Sequence, residues 1–141
     1  MKIGITGTRE GMTDYQSEQV YDALNSLMQD CIGSAIKPEF HHGDCVGVDS
    51  EAALFAQALG YTIVCHPPTS SEYQGSVGGD EVRAKAGYLQ RNRTIVDECD
   101  ILLVVPLQMA WQPRGGTWYT HDYAKKKDVL YLVCWPEGII C

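Results

Sequence analysis

Short β-type runs alternate with helical periodicity along the whole chain, and this alternation limits the possible folds more than any other feature. The run 100–105 is almost entirely apolar, which is typical of a central strand covered on both faces. Strands are predicted at 3–6, 39–42, 61–66, 100–105 and 129–134, and helices at 13–33, 50–60, 80–98 and 117–126. The 141 residues are therefore predicted to form one α/β domain, doubly wound, with a mainly parallel five-stranded sheet and helices on both faces.

Two helices carry specific local signals. Thr13 with Gln16 three residues later forms a capping-box pattern, which predicts the start of the first helix. The third helix is expected to start near Asp80 and to run to about Glu98, with Gly87 as a weak point inside it. Its expected inward residues are Leu89, Ile95, Val96 and Cys99.

Four loops follow predicted strands and carry glycine, hydroxyl or charged residues. Right-handed crossovers place the carboxyl ends of parallel strands on one rim of the sheet, where such folds bind ligands. The loops expected there are 7–11, 43–49, 66–79 and 106–117. This convergence predicts a ligand site at that rim.

The turn at 114–120 has the residues of a phosphate site. Gly115 and Gly116 allow the backbone to approach an anion, and the following helix start offers free N–H groups. Arg114 adds a bidentate cation, while Thr117 and Thr120 add hydroxyl donors. The alternative interpretation is a tight turn with an N-capping threonine.

The loop after the first strand, Gly7-Thr8-Arg9-Glu10, is the second candidate. It is not a G-x-G-x-x-G fingerprint, and the sequence has no Walker pattern, so a standard dinucleotide or P-loop site is disfavoured. Arg9 is placed to bind phosphate, or alternatively to pair with Glu10 on the surface. Glu10 is either a ribose or catalytic carboxylate or a solvated charge.

The third loop combines Gly43, Asp44, Gly47 and Asp49. Its glycines permit a sharp turn into a helix. Asp44 is a candidate acceptor for sugar hydroxyls, whereas Asp49 is expected to cap or polarise the start of the helix, a structural role worth about 1 kcal/mol.

The third predicted helix contributes Arg91 and Asn92, either of which can bind phosphate or brace a loop if it faces the rim. Arg93 lies two positions on and must point elsewhere, onto a solvated face. His66 ends the third strand and is either an acid/base group or a hydrogen-bonded loop histidine.

Charge and composition restrict the class of partner. The net charge of −7 argues against a protein that neutralises many nucleic-acid phosphates, but it leaves room for one small anion held by a few arginines. No apolar run approaches the roughly 20 residues that span a bilayer, and the N-terminus enters a strand at once, so a cytoplasmic protein is expected. The six cysteines, Cys141 included, show no C-x-x-C spacing and are expected to be reduced thiols.

No metal and no other cofactor is predicted. His41, His42, Asp44 and Cys45 are metal-ligand residue types. However, neighbouring positions on a strand point to opposite faces, and no second ligand pair follows at a familiar spacing.

Taken in order, these motifs resemble the SLOG superfamily, which includes the SMF/DprA-like and LOG proteins, and most closely its small single-domain YspA-like members. The resemblance implies a Rossmann-like fold that binds nucleotides or nucleotide-derived ligands, often as a homodimer or larger homo-oligomer. The residues that carry it are Gly7-Thr8-Arg9, His42-Gly43-Asp44 with Gly47 and Asp49, Ala86-Gly87 with Arg91-Asn92, and Gly115-Gly116-Thr117 with Thr120.

LOG proteins hydrolyse the N-glycosidic bond of nucleoside 5′-monophosphates through a P-G-G-x-G-T-x-x-E motif. Here one intervening residue is absent and Thr120 stands in place of the glutamate. The resemblance thus carries over the phosphate-binding half but not the catalytic carboxylate, for which Glu10 and Asp44 are the candidates by analogy with glycosidases. A nucleotide-binding protein is the first hypothesis, a phosphoribohydrolase the second, and a single-strand DNA-binding protein, which fits the acidic chain poorly, the third. Tyr73, Trp111 and Trp118 are candidates to stack a base.

Overall fold

The computed structural model describes residues 1–138, so Cys141 and the end of the expected C-terminal tail lie outside the described residues. Ten elements follow one another along the chain. The helices are α1 Asp14–Asp30, α2 Val48–Leu59, α3 Tyr88–Glu98 and α4 Gly116–Lys126. The strands are β1 Lys2–Gly7, β2 Glu39–His42, β3 Thr62–Cys65, β4 Glu81–Val82, β5 Ile101–Val105 and β6 Leu130–Val133.

All six strands are parallel, in the order β4-β3-β2-β1-β5-β6. The chain first builds outward from β1 to β4 and then crosses back to add β5 on the other side of β1. The strand order therefore reverses between β1 and β5, and a crevice opens at their carboxyl ends. The predicted doubly wound α/β fold is confirmed.

The two faces of β5 explain its apolar sequence. Leu103 and Val105 join a core with α1 and α2, whereas Leu102 and Val104 pack against α3 and α4. Because both faces of β5 are covered, its side chains are apolar on both faces, and the strand lacks the alternation of apolar and polar residues that a half-exposed strand shows.

The start of α1 is capped as predicted. The Thr13 side chain accepts from the Gln16 backbone N–H at 3.1 Å, and the Gln16 side chain accepts from the Thr13 N–H at 3.1 Å. The Thr13 hydroxyl also donates to the Pro136 carbonyl at 2.7 Å, which ties the helix start to the chain after β6.

We expect Thr13→Ala to lower the free energy of unfolding by about 1–2 kcal/mol, because the cap and a tertiary hydrogen bond are both lost. Urea denaturation measures this. Thr94→Ala is the matched control, since the Thr94 hydroxyl only bonds the Gln90 carbonyl one turn back in an exposed position. Equal losses in the two variants would contradict the capping role.

The expected helix start at Asp80 is wrong. Residues 81–82 form a short sixth strand beside β3, and the helix begins only after Gly87. The Asp80 carboxylate accepts the Ile63 backbone N–H at 2.8 Å, which fixes this segment along the edge of β3 rather than in a helical turn. As a result Leu89 lies in the first turn of α3 and is 48% exposed instead of inward, while Ile95, Val96 and Cys99 are buried as predicted. Within residues 1–138, no helix is both long and apolar enough to cross a bilayer.

Candidate functional site

A cavity of about 350 Å³ lies where the strand order reverses, between the ends of β1 and β5 and the starts of α3 and α4. Such a volume falls at the lower end of the range for small-molecule sites. Three of the four predicted loops and the start of α3 contribute to its wall. The predicted site residues found together there are Gly7, Thr8, Arg9, Glu10, Arg91, Asn92, Arg114, Gly115, Gly116 and Thr117.

Two helices begin in the cavity wall without a capping side chain. Glycine occupies the N-cap of both, Gly87 for α3 and Gly115 for α4. The first N–H groups of a helix have no partner inside the helix, and the helix dipole favours an anion there. By contrast α1, which begins elsewhere, carries the full capping box. Helix α2 also begins after a glycine, Gly47, without a side-chain cap, but its first N–H donates to the Thr8 carbonyl at 3.1 Å. The first residues of α3 and α4, Tyr88 and Gly116, line the cavity, so the N–H groups of these two helix starts lie where a ligand has access.

Two exposed arginines, Arg9 and Arg114, line the cavity. Among the described residues, neither Arg9 nor Arg114 forms an ion pair. The Arg9 guanidinium lies over the Tyr73 ring, 3.8 Å from its centroid, and this stacking holds the cation at the rim. An acidic protein therefore has a local site with unpaired positive charge.

Arg91 is buried and braces the third loop. Its guanidinium donates to the carbonyls of Gly43 and, at 3.2 Å, His66, while its Nε donates to Asn92 Oδ1 at 2.8 Å. These bonds use most of its donors. Of the two roles predicted for Arg91, the structure shows the brace, and its charge still borders the cavity.

Asp49 lies beneath the cavity and accepts the Gly43 backbone N–H at 2.9 Å. Burial raises the pKa of this carboxyl, and the charge of Arg91 opposes that rise. Asp49 thus fixes the loop against the first turn of α2. An acidic residue there polarises the helix start as expected, but Asp49 is not the cap, because Gly47 occupies the N-cap position and no side chain caps this end.

Asp44 does not line the cavity. Its Oδ1 accepts the backbone N–H groups of Val77, at 2.8 Å, and Gly78, at 3.3 Å, and its Oδ2 accepts from the Gln74 amide at 3.0 Å. The side chain is 2% exposed. Because its oxygens point into the 74–78 loop, the expected role of Asp44 as sugar acceptor or catalytic carboxylate is not supported, whereas Glu10 is exposed at the cavity.

Three other predicted ligand residues shape the site without lining it. The Thr120 hydroxyl donates to the Gly116 carbonyl at 2.7 Å and is buried. Gly47 has a φ of 85°, which an L side chain rarely adopts. Gly43 leaves room for the Arg91 guanidinium, which a Cβ at that position would displace.

The aromatic residues expected to stack a base are placed differently. Tyr73 has one face covered by Arg9. Trp118 borders the cavity but is 3% exposed and packs beside Trp135. Trp111 does not line the cavity, and its ring N–H donates to Asp122 Oδ1 at 2.9 Å.

Tyr88 is the cavity residue that the sequence analysis missed. Its hydroxyl is buried and has no hydrogen-bond partner within the described residues, and its ring lies 5.5–5.8 Å from the Arg91 and Arg9 guanidinium carbons. The available signal was Gly87 directly before it, which marks the true helix start. An unpartnered buried hydroxyl at a cavity wall is suited to a ligand atom.

His66 is a buried histidine outside the cavity wall. Its Nε2 lies 2.8 Å from His41 Nδ1. Burial, with the nearby His41 as a second cause, lowers the pKa of His66 to about 4, and burial also lowers the pKa of His41. Both rings are therefore neutral at pH 7, and His66 is not placed to exchange protons with a ligand in the cavity.

The five described cysteines are all free thiols, as expected. Cys45 borders the cavity, where burial raises the pKa of its thiol. It is protonated at neutral pH and is not an activated nucleophile.

No protein-family model and no curated protein matches the sequence. Solved structures do. The molybdenum cofactor binding protein from Rippkaea orientalis superposes with a TM-score of 0.67 at 17% identity, over 94% of this chain and 74% of that one. The DNA processing protein A (DprA) of Helicobacter pylori superposes with a TM-score of 0.65 at 18% identity, over 94% of this chain and 64% of that one. The molybdenum cofactor carrier protein of Chlamydomonas reinhardtii superposes with a TM-score of 0.56 at 19% identity, over 94% of this chain and 74% of that one.

These likenesses show that the chain has the fold of these proteins, as the resemblance stated from the motifs implied. DprA was one of the groups named from the motifs, and it is found among the structural neighbours.

Proposed function

We propose that the protein binds a small phosphorylated ligand, a nucleotide or a nucleotide-derived molecule, with its phosphate at the starts of α3 and α4. The observation that carries the proposal is the pair of glycine-capped helix ends beside two unpaired arginines, Arg9 and Arg114. Free N–H groups, two helix dipoles and two cations all favour an anion at the same place.

The cavity favours a small molecule over a polymer. The net charge of −7 is the wrong sign for a protein that follows a nucleic-acid backbone. Although the DprA neighbours include one described by its single-stranded DNA binding mode, this chain offers a cavity of about 350 Å³ as its anion site. The cofactor-binding neighbours support a ligand in this fold. Retention of DNA that weakens with salt would contradict this assignment.

The part of the ligand beyond the phosphate meets polar groups. Glu10 is exposed at the cavity and can accept hydroxyl hydrogens of a ribose, while the unpartnered Tyr88 hydroxyl can donate to or accept from the same ligand. These groups match a sugar phosphate better than an inorganic anion.

We expect Arg114→Ala to weaken binding of a nucleoside monophosphate by ~1.5–3 kcal/mol, since a charge-assisted hydrogen bond is lost. Isothermal titration calorimetry measures the change. Arg93→Ala is the matched control, because Arg93 bonds the Tyr119 hydroxyl at 2.7 Å and does not line the cavity. An unchanged dissociation constant in Arg114→Ala would contradict the role of Arg114 in binding the phosphate.

The second candidate function is hydrolysis of the N-glycosidic bond of the nucleotide. Glu10 favours it, as an exposed carboxylate near the expected ribose. Chromatography of nucleoside monophosphates incubated with the protein tests it. Base release by the wild type, lost in Glu10→Gln with binding retained, would establish the hydrolase; intact nucleotide after binding supports a binding protein.

A further inference from the structure

Two histidines and a carboxylate meet on the α3 face of the sheet, outside the cavity wall. His41 Nδ1 lies 2.8 Å from His66 Nε2, and Glu98 Oε2 lies 3.8 Å from the same His66 nitrogen. All three donor atoms fall within 4.8 Å of one another. The three residues come from β2, the end of β3 and the end of α3, so the fold alone brings them together.

Glu39 orients the His41 ring so that Nδ1 points into the cluster. His41 Nε2 lies 2.8 Å from Glu39 Oε1, and a carboxylate accepts, so the proton is on Nε2. Nδ1 then accepts the Nε2 proton of His66, and this proton must move to His66 Nδ1 before both rings can bind one ion. A carboxylate that accepts from the outer nitrogen of a histidine in this manner usually orients a metal-binding imidazole.

The spacing of the donor atoms suits a divalent transition ion. Two ligands about 2.1 Å from a tetrahedral ion lie ~3.4 Å apart, and the observed separations of 2.8 and 3.8 Å lie on either side of that value. A small movement of one imidazole ring away from the other, with a small movement of the Glu98 carboxylate toward His66, would bring these separations to that value.

The site is also reachable and negatively charged. Glu39 and Glu98 are 23% and 27% exposed, which gives the buried histidine pair a route to solvent. Arg83 holds Glu98 Oε1 at 2.9 Å and approaches Oε2 at 3.4 Å. The two carboxylates next to the histidines outnumber this one cation.

We propose that His41, His66 and Glu98 form a site for a zinc-class divalent cation, with Glu39 as the positioning residue behind His41. Neutral imidazole and carboxylate ligands match the preferences of Zn²⁺ and its optical substitute Co²⁺. The second cluster of ligand types, His42, Asp44 and Cys65, is less suited, because the ring nitrogens of His42 and the oxygens of Asp44 are bonded to backbone and side-chain groups of the surrounding loops. In the first cluster, His41 Nδ1 and His66 Nε2 are hydrogen-bonded only to each other among the described residues.

The test is titration of the whole protein with Co²⁺ and Zn²⁺, followed by visible absorption and calorimetry. We expect one ion per chain and a d–d spectrum of low-coordinate Co²⁺ without a sulfur charge-transfer band. Glu98→Gln should weaken binding at least 10-fold and Glu39→Gln by 10–100-fold, as other outer partners do. His66→Gln should abolish the spectrum.

His121→Gln is the matched control, because His121 also contacts a carboxylate, Asp122, at 2.8 Å but lies outside the cluster. Binding that survives both glutamate changes, a thiolate spectrum, or no binding at all would overturn the proposal. The glutamate variants keep the test decisive even if loss of a buried histidine prevents folding.

Discussion

Gly47→Ala is expected to lower the free energy of unfolding by about 3 kcal/mol or more. Gly47 has a φ of 85°, and a Cβ there would lie 2.6 Å from the Thr8 carbonyl oxygen and would also contact the Arg9 carbonyl. These are backbone atoms, and the Thr8 carbonyl is held by the Val48 N–H at 3.1 Å. Neither the Gly47 segment nor the Thr8–Arg9 backbone can move without separating α2 from β1.

Gly33→Ala separates conformational strain from the clash. Gly33 has a similar φ of 88°, but no atom lies within 4 Å of its Cβ position. Its loss should stay near 1 kcal/mol, the cost of a left-handed alanine alone. Urea denaturation of both variants gives the comparison, and equal losses would contradict the close approach of the two loops.

Gly116→Asp is expected to abolish phosphate binding while it leaves the fold as stable as before or slightly more stable. Gly116 is the first residue of α4, and its Cβ position has only Asn92 Nδ2 nearby, at 3.8 Å. A carboxylate in the first turn of a helix stabilises it by about 0.3–1 kcal/mol. The same carboxylate repels a phosphate about 4 Å away by ~4 kcal/mol at an effective dielectric constant of 20, a loss of at least 100-fold in affinity.

Gly116→Asn provides the isosteric control. It fills the same space without the charge and should weaken binding only several-fold. Calorimetry gives the affinities and thermal unfolding gives the stabilities. If Gly116→Asp bound a nucleotide as tightly as Gly116→Asn, the phosphate would lie elsewhere.

Local patterns predicted the parts of the fold that depend on neighbouring residues. The apolar run of β5 and the Thr13–Gln16 box at α1 reflect burial on two faces and a hydrogen bond three residues away. The start of α3 was misplaced because its determinant is long-range: Asp80 bonds Ile63 in β3. When this contact is not known, the sequence of residues 80–87 predicts an earlier start of the helix.

The same distinction explains the site. The glycine turns Gly7, Gly115 and Gly116 were predictable, since the backbone conformation of a strand-to-helix loop follows from local sequence. The direction of the Asp44 side chain was not, because it is set by the 74–78 loop some 30 residues later. The His41–His66–Glu98 cluster was missed for the same reason: its members are spread over 58 positions, and only the pairing of β2 with β3 and the position of α3 bring them together.

Calorimetric titration with a nucleoside 5′-monophosphate and with the same nucleoside lacking the phosphate tests the central claim most directly. We predict that at least one base gives binding of the monophosphate and at least 100-fold weaker binding of its nucleoside, because the helix starts and Arg114 contact only the phosphate. Ligand at 100 times its dissociation constant should also stabilise the native state by about 2.7 kcal/mol. Equal affinity for the two compounds, or no binding of any monophosphate, would contradict the assignment of this cavity to a phosphorylated ligand.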